Sequence, residues 1–115
     1  AAKGFGPFRG RDAIAAGLAA TGRTDILWSL HYMISPLIEL ATDGQTATGS
    51  WYLWELATMP GKRADQPDSI WVGGTYQADF CRLDGRWYFQ NVWLDIRLAT
   101  PFEEAWGGRP LRRFE

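Results

Sequence analysis

The chain has one histidine, His31, set in an aromatic and β-branched run from Ile26 to Ser35 that includes Trp28, Tyr32 and Met33. An imidazole's ordinary pKa of about 6.5 lets it take and return a proton near neutral pH. In such a run it is either a buried structural group or the proton-handling residue of a pocket. Loss of water, or a shift of a double bond beside a carbonyl, needs a base to take a proton from carbon and donors to hold the developing oxyanion. Tyr32, Tyr52, Tyr76 and Asn91 are the donors at hand. Trp54, Phe89 and Trp93 would supply a flat apolar wall for a ring-shaped substrate, and Asp95 could orient His31 or hold a proton itself.

Strands must bring these side chains together. Two segments of the strand–turn–strand kind are marked by Asp-Gly pairs. Asp43-Gly44 joins residues 26–42 to 45–59, and Asp84-Gly85 joins 70–83 to 86–99. A polar stretch, 60–69, with two prolines reads as the loop between them. Counting outward from two-residue turns pairs Trp87 with Arg82, Phe89 with Phe80, Asn91 with Ala78 and Trp93 with Tyr76. Tyr76, Phe80, Trp87, Phe89, Asn91 and Trp93 then share one face, with Asp95 farther along. The same count sets His31, Met33 and Ser35 against Leu56, Trp54 and Tyr52. Pro36 cannot donate to a ladder, so an edge position or a bulge is expected there, and a bulge would flip the parity between His31 and Ile38.

Ahead of the hairpins, Asp12 to Ala20 are mostly strong helix formers, with Ile14 and Leu18 on one face and Gly22 placed to stop the run. Residues 1–9 read as irregular or extended. The expected order is one helix, four long antiparallel strands and a tail in which Arg112 and Arg113 are solvated.

Composition limits the classes. The 115 residues, 46% hydrophobic and 15% aromatic, suit one globular domain with a core, spanning 1–115. Lys plus Arg (12) balance Asp plus Glu (13), and no basic stripe runs with the aromatics, so nucleic acid is not expected as a partner. One Cys and one His make no thiolate-rich metal site, and Cys81 reads as a small apolar strand residue. No apolar run approaches the roughly 18 residues of a membrane span, and no leader opens the chain, which points to a cytoplasmic protein.

The strings GlyProPheArgGlyArgAspAlaIle, IleGluLeuAlaThrAspGlyGlnThrAlaThrGlySerTrpTyrLeu, ThrTyrGlnAlaAspPheCysArgLeuAspGlyArgTrpTyrPhe and ThrProPheGluGluAlaTrp, in this order around His31, resemble the SnoaL-like family. That family belongs to the nuclear transport factor 2-like superfamily, and the likeness runs from about Gly6 to Trp106. The resemblance implies an α+β fold, a cone-shaped curved antiparallel sheet wrapped around helices, with a pocket. It implies no single activity, since members include polyketide cyclases, ketosteroid isomerases, dehydratases and pure binding modules. His31 falls where scytalone dehydratase and the bile-acid dehydratases carry a histidine used in proton transfer. Family members usually begin with two or three helices, which carry a Tyr and an Asp of the site. Here only nine residues precede Gly10: either the form is naturally abbreviated at the N-terminus, or the helices lie outside this sequence, and an aromatic face left exposed without them is expected to be covered by another subunit of a homodimer or larger homo-oligomer.

Two functions follow. One is a dehydratase or isomerase of a cyclic or polyketide-like hydroxy-carbonyl compound, with no metal or organic cofactor, catalysed by His31 and Asp95, with Tyr52, Trp54, Tyr76, Phe89, Asn91 and Trp93 holding the substrate. The other is a non-catalytic module that binds an apolar or aromatic ligand or drives oligomerisation. A second proton-handling group within hydrogen-bond reach of His31, or one water away, separates them.

Overall fold

The computed structural model describes residues 7–63 and 65–113. Expectations for residues 1–6, including Gly4 and Gly6, lie outside the described residues. Helix α1, Arg11–Thr24, starts at Gly10, whose positive φ of 87° suits glycine, and Asp12 sits in its first turn, where the helix dipole favours a carboxylate. It runs through Gly22 instead of stopping there, and ends where the Asp25 and Ile26 amides both donate to the Thr21 carbonyl. Its buried face is also not the expected one. Thr21 is buried and Gly17 lies under the Phe8 ring, while Ile14 and Leu18 remain exposed.

Four strands follow as a meander in the spatial order β1-β2-β3-β4: β1 Trp28–Leu40, β2 Thr46–Arg63, β3 Gln66–Leu83 and β4 Arg86–Pro101. All pairs are antiparallel. Both Asp-Gly turns stand where expected. Asp84 and Gly85 have φ of 50° and 77°, the doubly positive pair whose twist matches the flanking strands. At the other turn Gly44 has φ of 69° and Asp43 accepts a hydrogen bond from the Gln45 amide at 2.8 Å. The polar stretch expected as a loop over 60–69 is mostly strand: Arg63 pairs with Gln66, and Met59 with Asp68.

Burial alternates strictly along β2 from Ala47 to Met59, so the curved sheet has an inner and an outer face. Leu53, Ala57, Met59, Ile70 and Val72 form the core on the inner face, with Ile26, Tyr76, Leu94 and Ile96 packed against them. The C-terminal segment folds back instead of trailing in water. Leu111 bridges Ala99 in parallel, the Ala99 amide donates to the Pro110 carbonyl, and the buried Thr100 hydroxyl donates to the Ala105 carbonyl at 2.8 Å. Arg112 pairs with Glu104 at 3.1 Å, and Arg113 reaches Asp68 at 3.0 Å and also donates to the Pro60 carbonyl. The solvated reading of the two arginines is therefore wrong: Arg113 closes the end of the β2–β3 hairpin, and Arg112 holds Glu104 within the C-terminal segment.

Candidate functional site

The register decides which side chains meet. From the Asp43-Gly44 turn the pairing runs as counted as far as Leu37 opposite Ser50, then slips by one between Ile34 and Leu37. The slip falls on Ser35, with φ of 53°, and Pro36, so the bulge anticipated at the proline is present. It sets His31 opposite Glu55 and Met33 opposite Leu53. Glu55 in turn lies opposite Val72 on β3, and Trp51 opposite Tyr76. His31, Trp51, Glu55 and Tyr76 thus share the inner face, contributed by three adjacent strands.

Three titratable groups converge there. The Tyr76 hydroxyl lies 3.5 Å from His31 Nε2, and Glu55 Oε1 lies 4.0 Å from the same nitrogen. Both separations are long for a closed hydrogen bond, which leaves Nε2 able to exchange a proton with a third group. The His31 side chain is 33% exposed and that of Glu55 9%. The Tyr76 ring stacks on Trp51 with centroids 5.3 Å apart and an interplanar angle of 20°, and meets His31 edge-on at 6.2 Å. Trp51 also contacts Phe80 and Phe89, which lie 4.9 Å from each other. The result is an aromatic floor beside the polar trio. The Trp51 indole N–H is buried without an acceptor among the described residues, a donor whose desolvation is uncompensated.

Electrostatics follow from burial. Desolvation pushes the Glu55 carboxyl above its ordinary 4.5, while the neighbouring His31 charge and a hydrogen bond from Ser29 pull it partway back. Desolvation likewise raises the Tyr76 hydroxyl, and the Glu55 charge raises it further. Tyr76 is therefore held as a neutral donor, and Glu55 is a carboxyl that gives up its proton reluctantly. Among the described residues no three His, Cys, Asp or Glu side chains gather to hold a metal ion, and no helix is long and apolar enough to cross a membrane.

A SnoaL-like domain profile matches residues 1–92. The chain belongs to the SnoaL-like family. Its fold is of the nuclear transport factor 2-like kind, as two structural neighbours show. The SnoaL-like chain is 18% identical to a hexachlorocyclohexane dehydrochlorinase (LinA) type 2, with a TM-score of 0.69 over 87% of this chain, and spans 64% of that protein's length. It is 16% identical to LinA, with a TM-score of 0.75 over 96% of this chain and 69% of the other. A third neighbour is the intermembrane space region of chloroplast protein ARC6, at 11% identity, a TM-score of 0.51 and coverage of 76% and 72%. Identities this low speak for the fold alone. Among curated proteins none matches the chain significantly.

Of the side chains picked out in the SnoaL-like sequence, the structure brings His31, Tyr76 and Phe89 onto the inner face and moves the others off it. The bulge at Ser35–Pro36 puts Tyr52 and Trp54 on the outer face with Tyr32, where Trp54 packs on Trp71 at 5.3 Å. A second slip, at Gln90, pairs Asn91 with Asp79, Trp93 with Gln77 and Asp95 with Thr75, so these three also face outward. Asn91 donates to Asp79 at 3.2 Å, and Asp95 is exposed. Asp95 therefore cannot orient His31, and Tyr52, Trp54, Asn91 and Trp93 do not line the His31 site. A shallow groove on the outer face, bordered by Glu39, Ser50, Gln77, Asp79 and Trp93, is likewise remote from it. Glu55 and Trp51 take the vacated places. The signal that finds Glu55 is its parity with His31 once the Pro36 bulge is counted.

Proposed function

We propose that this SnoaL-like domain binds a small cyclic or polyketide-like hydroxy-carbonyl compound on the inner face of its sheet and acts as a dehydratase or isomerase, with His31 as the acid/base. What carries the reading is the convergence of His31, Glu55 and Tyr76 at 3.5–4.0 Å around one ring nitrogen. A packing role alone would not require two further proton-handling groups there. The neighbour named a dehydrochlorinase of hexachlorocyclohexane supports elimination from a ring as chemistry this scaffold can host.

In this scheme neutral His31 takes the proton from the carbon beside the substrate carbonyl. The electron pair left behind moves onto the carbonyl oxygen, which accepts a hydrogen bond from the Tyr76 hydroxyl. The Glu55 carboxylate offsets the charge of the imidazolium, as a buried partner does for a catalytic histidine. The enolate then reforms its carbonyl and expels the β-hydroxyl group, which takes the proton back from His31 and leaves as water. Without a leaving group the same proton returns at a different carbon and the double bond shifts. The Trp51, Phe80 and Phe89 floor supports a planar ring, and the unpaired Trp51 N–H favours a ligand carrying an acceptor atom.

The test is formation of conjugated enone from a panel of cyclic β-hydroxy ketones, followed by ultraviolet absorbance. His31→Gln should lower the rate by roughly 10²–10⁴, and Tyr76→Phe by about 10². Ring binding by the wild type without turnover, unchanged in His31→Gln, would instead establish the non-catalytic binding module. The edge-on packing of His31 against Tyr76 is the contact that second reading rests on.

A further inference from the structure

The groove on the outer face has a chemistry of its own, apart from the His31 site. Between the Ser35–Pro36 bulge and the turns the four strands align their outward side chains in rows across the sheet. One row is Leu37, Ser50, Gln77 and Trp93. The next, nearer the turns, is Glu39, Thr48, Asp79 and Asn91. Neighbours within a row stand about 4.8 Å apart, and the two rows about 7 Å apart. Between the rows lies the Gly49–Ala78 pair, of inward parity, so that backbone alone floors the gap. The groove has a volume of about 280 Å³, just under the roughly 300–1,000 Å³ of pockets that hold drug-sized ligands. That is room for one six-membered ring with its substituents.

Trp93 borders one side of the groove. It is 53% exposed and, unlike Trp51, Trp54 and Trp71, stacks on no other ring among the described residues. Hydrogen-bonding groups fill the rest. Asn91 Nδ2 donates to Asp79 Oδ2 at 3.2 Å, which fixes the plane of the carboxylate and leaves Oδ1 to accept from elsewhere. The side chains of Glu39, Ser50 and Gln77 have no hydrogen-bond partner among the described residues. Neither row contains a Lys, Arg or His, so the two carboxylates set the sign of the local field.

We infer that this groove binds a single sugar ring. A pyranose has an apolar face of C–H groups bounded by hydroxyls in fixed pairs, and it needs an aromatic disc beside planar polar groups. Trp93 supplies the disc. Asp79 Oδ1 and the Glu39 carboxylate accept from the hydroxyls, and the Gln77 amide both donates and accepts. A purely apolar ring would cover these polar side chains without satisfying them, at the cost of their desolvation. A metal ion would find no third carboxylate or imidazole there among the described residues. The field discriminates among sugars: an amino sugar is drawn to Glu39 and Asp79, and a sugar acid is repelled. Because the groove and His31 lie on opposite faces, the inference does not depend on the proposed chemistry.

Heteronuclear NMR titration of the labelled chain with glucose, galactose and mannose tests it. At least one of the three should shift the Trp93 indole N–H and the Gln77 and Asn91 side-chain amides, with a Kd of the order of 1 mM, as about a dozen heavy atoms give at ordinary ligand efficiency. The matching amino sugar should bind about 3- to 10-fold tighter, and the matching uronic acid weaker by at least as much. Trp93→Ala and Gln77→Ala should each raise the Kd at least about 10-fold, while His31→Gln leaves it unchanged. Circular dichroism checks that each variant folds, and Trp93→Thr, with the same expectation, replaces Trp93→Ala if the latter does not. No shift at these groups with any of the three sugars up to about 50 mM overturns the inference. So does binding that the Trp93 variant leaves intact. Cyclohexylamine binding as tightly as the amino sugar overturns it too, since the carboxylates would then be attracting a charge with nothing reading the hydroxyls.

Discussion

If His31 and Glu55 act as a pair, a double-mutant cycle on them should show it, and its size can be worked from their geometry. At 4.0 Å two unit charges attract by about 4 kcal/mol in surroundings of effective dielectric near 20, and by about 1 kcal/mol in water. Glu55 is well buried, but His31 exposes a third of its side chain, so solvent screens the pair and the lower part of that range applies. A coupling of about 1–2 kcal/mol is expected between imidazolium and carboxylate, and because His31 is partly exposed, added salt should reduce it. Urea unfolding of the wild type, His31→Gln, Glu55→Gln and the double variant in low and in high salt measures it, provided the four slopes agree. Coupling that is absent, or equal in low and high salt, would refute the ion-pair argument and leave two side chains that merely pack together.

Glu55 should also imprint its own pH dependence on stability. A carboxyl whose pKa is raised on folding holds its proton more tightly in the folded state, so that stability is fully present below the ordinary 4.5 and is lost as pH rises through the raised value. Glu55→Gln has no such proton to lose, and in thermal melts it should gain on the wild type as pH is taken from about 4 to 7. A pair of glycines tests the register at the site. A Cβ on Gly74 would run into the Asp95 carbonyl, and Gly74→Ala should cost about 2 kcal/mol. Gly73→Ala meets nothing nearer than the Leu98 side chain at 3.6 Å and should fold as the wild type does, within about 1 kcal/mol by urea unfolding.

The fold was legible because its signals are local. Asp43-Gly44 and Asp84-Gly85 can take the positive φ values that tight turns demand, and the alanine-rich run before them has helical propensity. The ladders next to each turn are likewise as counted: Leu40 faces Ala47, and Phe89 faces Phe80. The site was legible only in part, because membership of a face depends on every residue between the turn and the side chain. Pro36 announces its bulge through a missing amide, so the ambiguity at His31 was visible. Gln90 announces nothing, and with it the placement of Asn91, Trp93 and Asp95 failed. The length of β2 and β3 was obscured for another reason: Pro60, Gly61 and Pro67 favour a loop locally, yet the hairpin continues through them, with Arg113 joining Asp68 and the Pro60 carbonyl across its end.

The bulges at Ser35–Pro36 and at Gln90 give this sheet an unusual kind of economy. Side-chain orientation on a strand has period two, so regular pairing through either bulge, with no residue gained or lost, would exchange the entire inward set of that strand segment for its outward set. Straightening the first in this way would withdraw His31 from Glu55 and present Tyr32 in its stead. Straightening the second would turn Asp95 and Trp93 inward, toward Gly74 and Tyr76. Each strand thus carries two alternative surfaces in one sequence, and the bulge chooses between them by absorbing one residue. A single-codon deletion at either bulge would instead leave the same side chains on the same faces, so a lineage built on this sheet can lose a residue at these two places and keep its inward set intact.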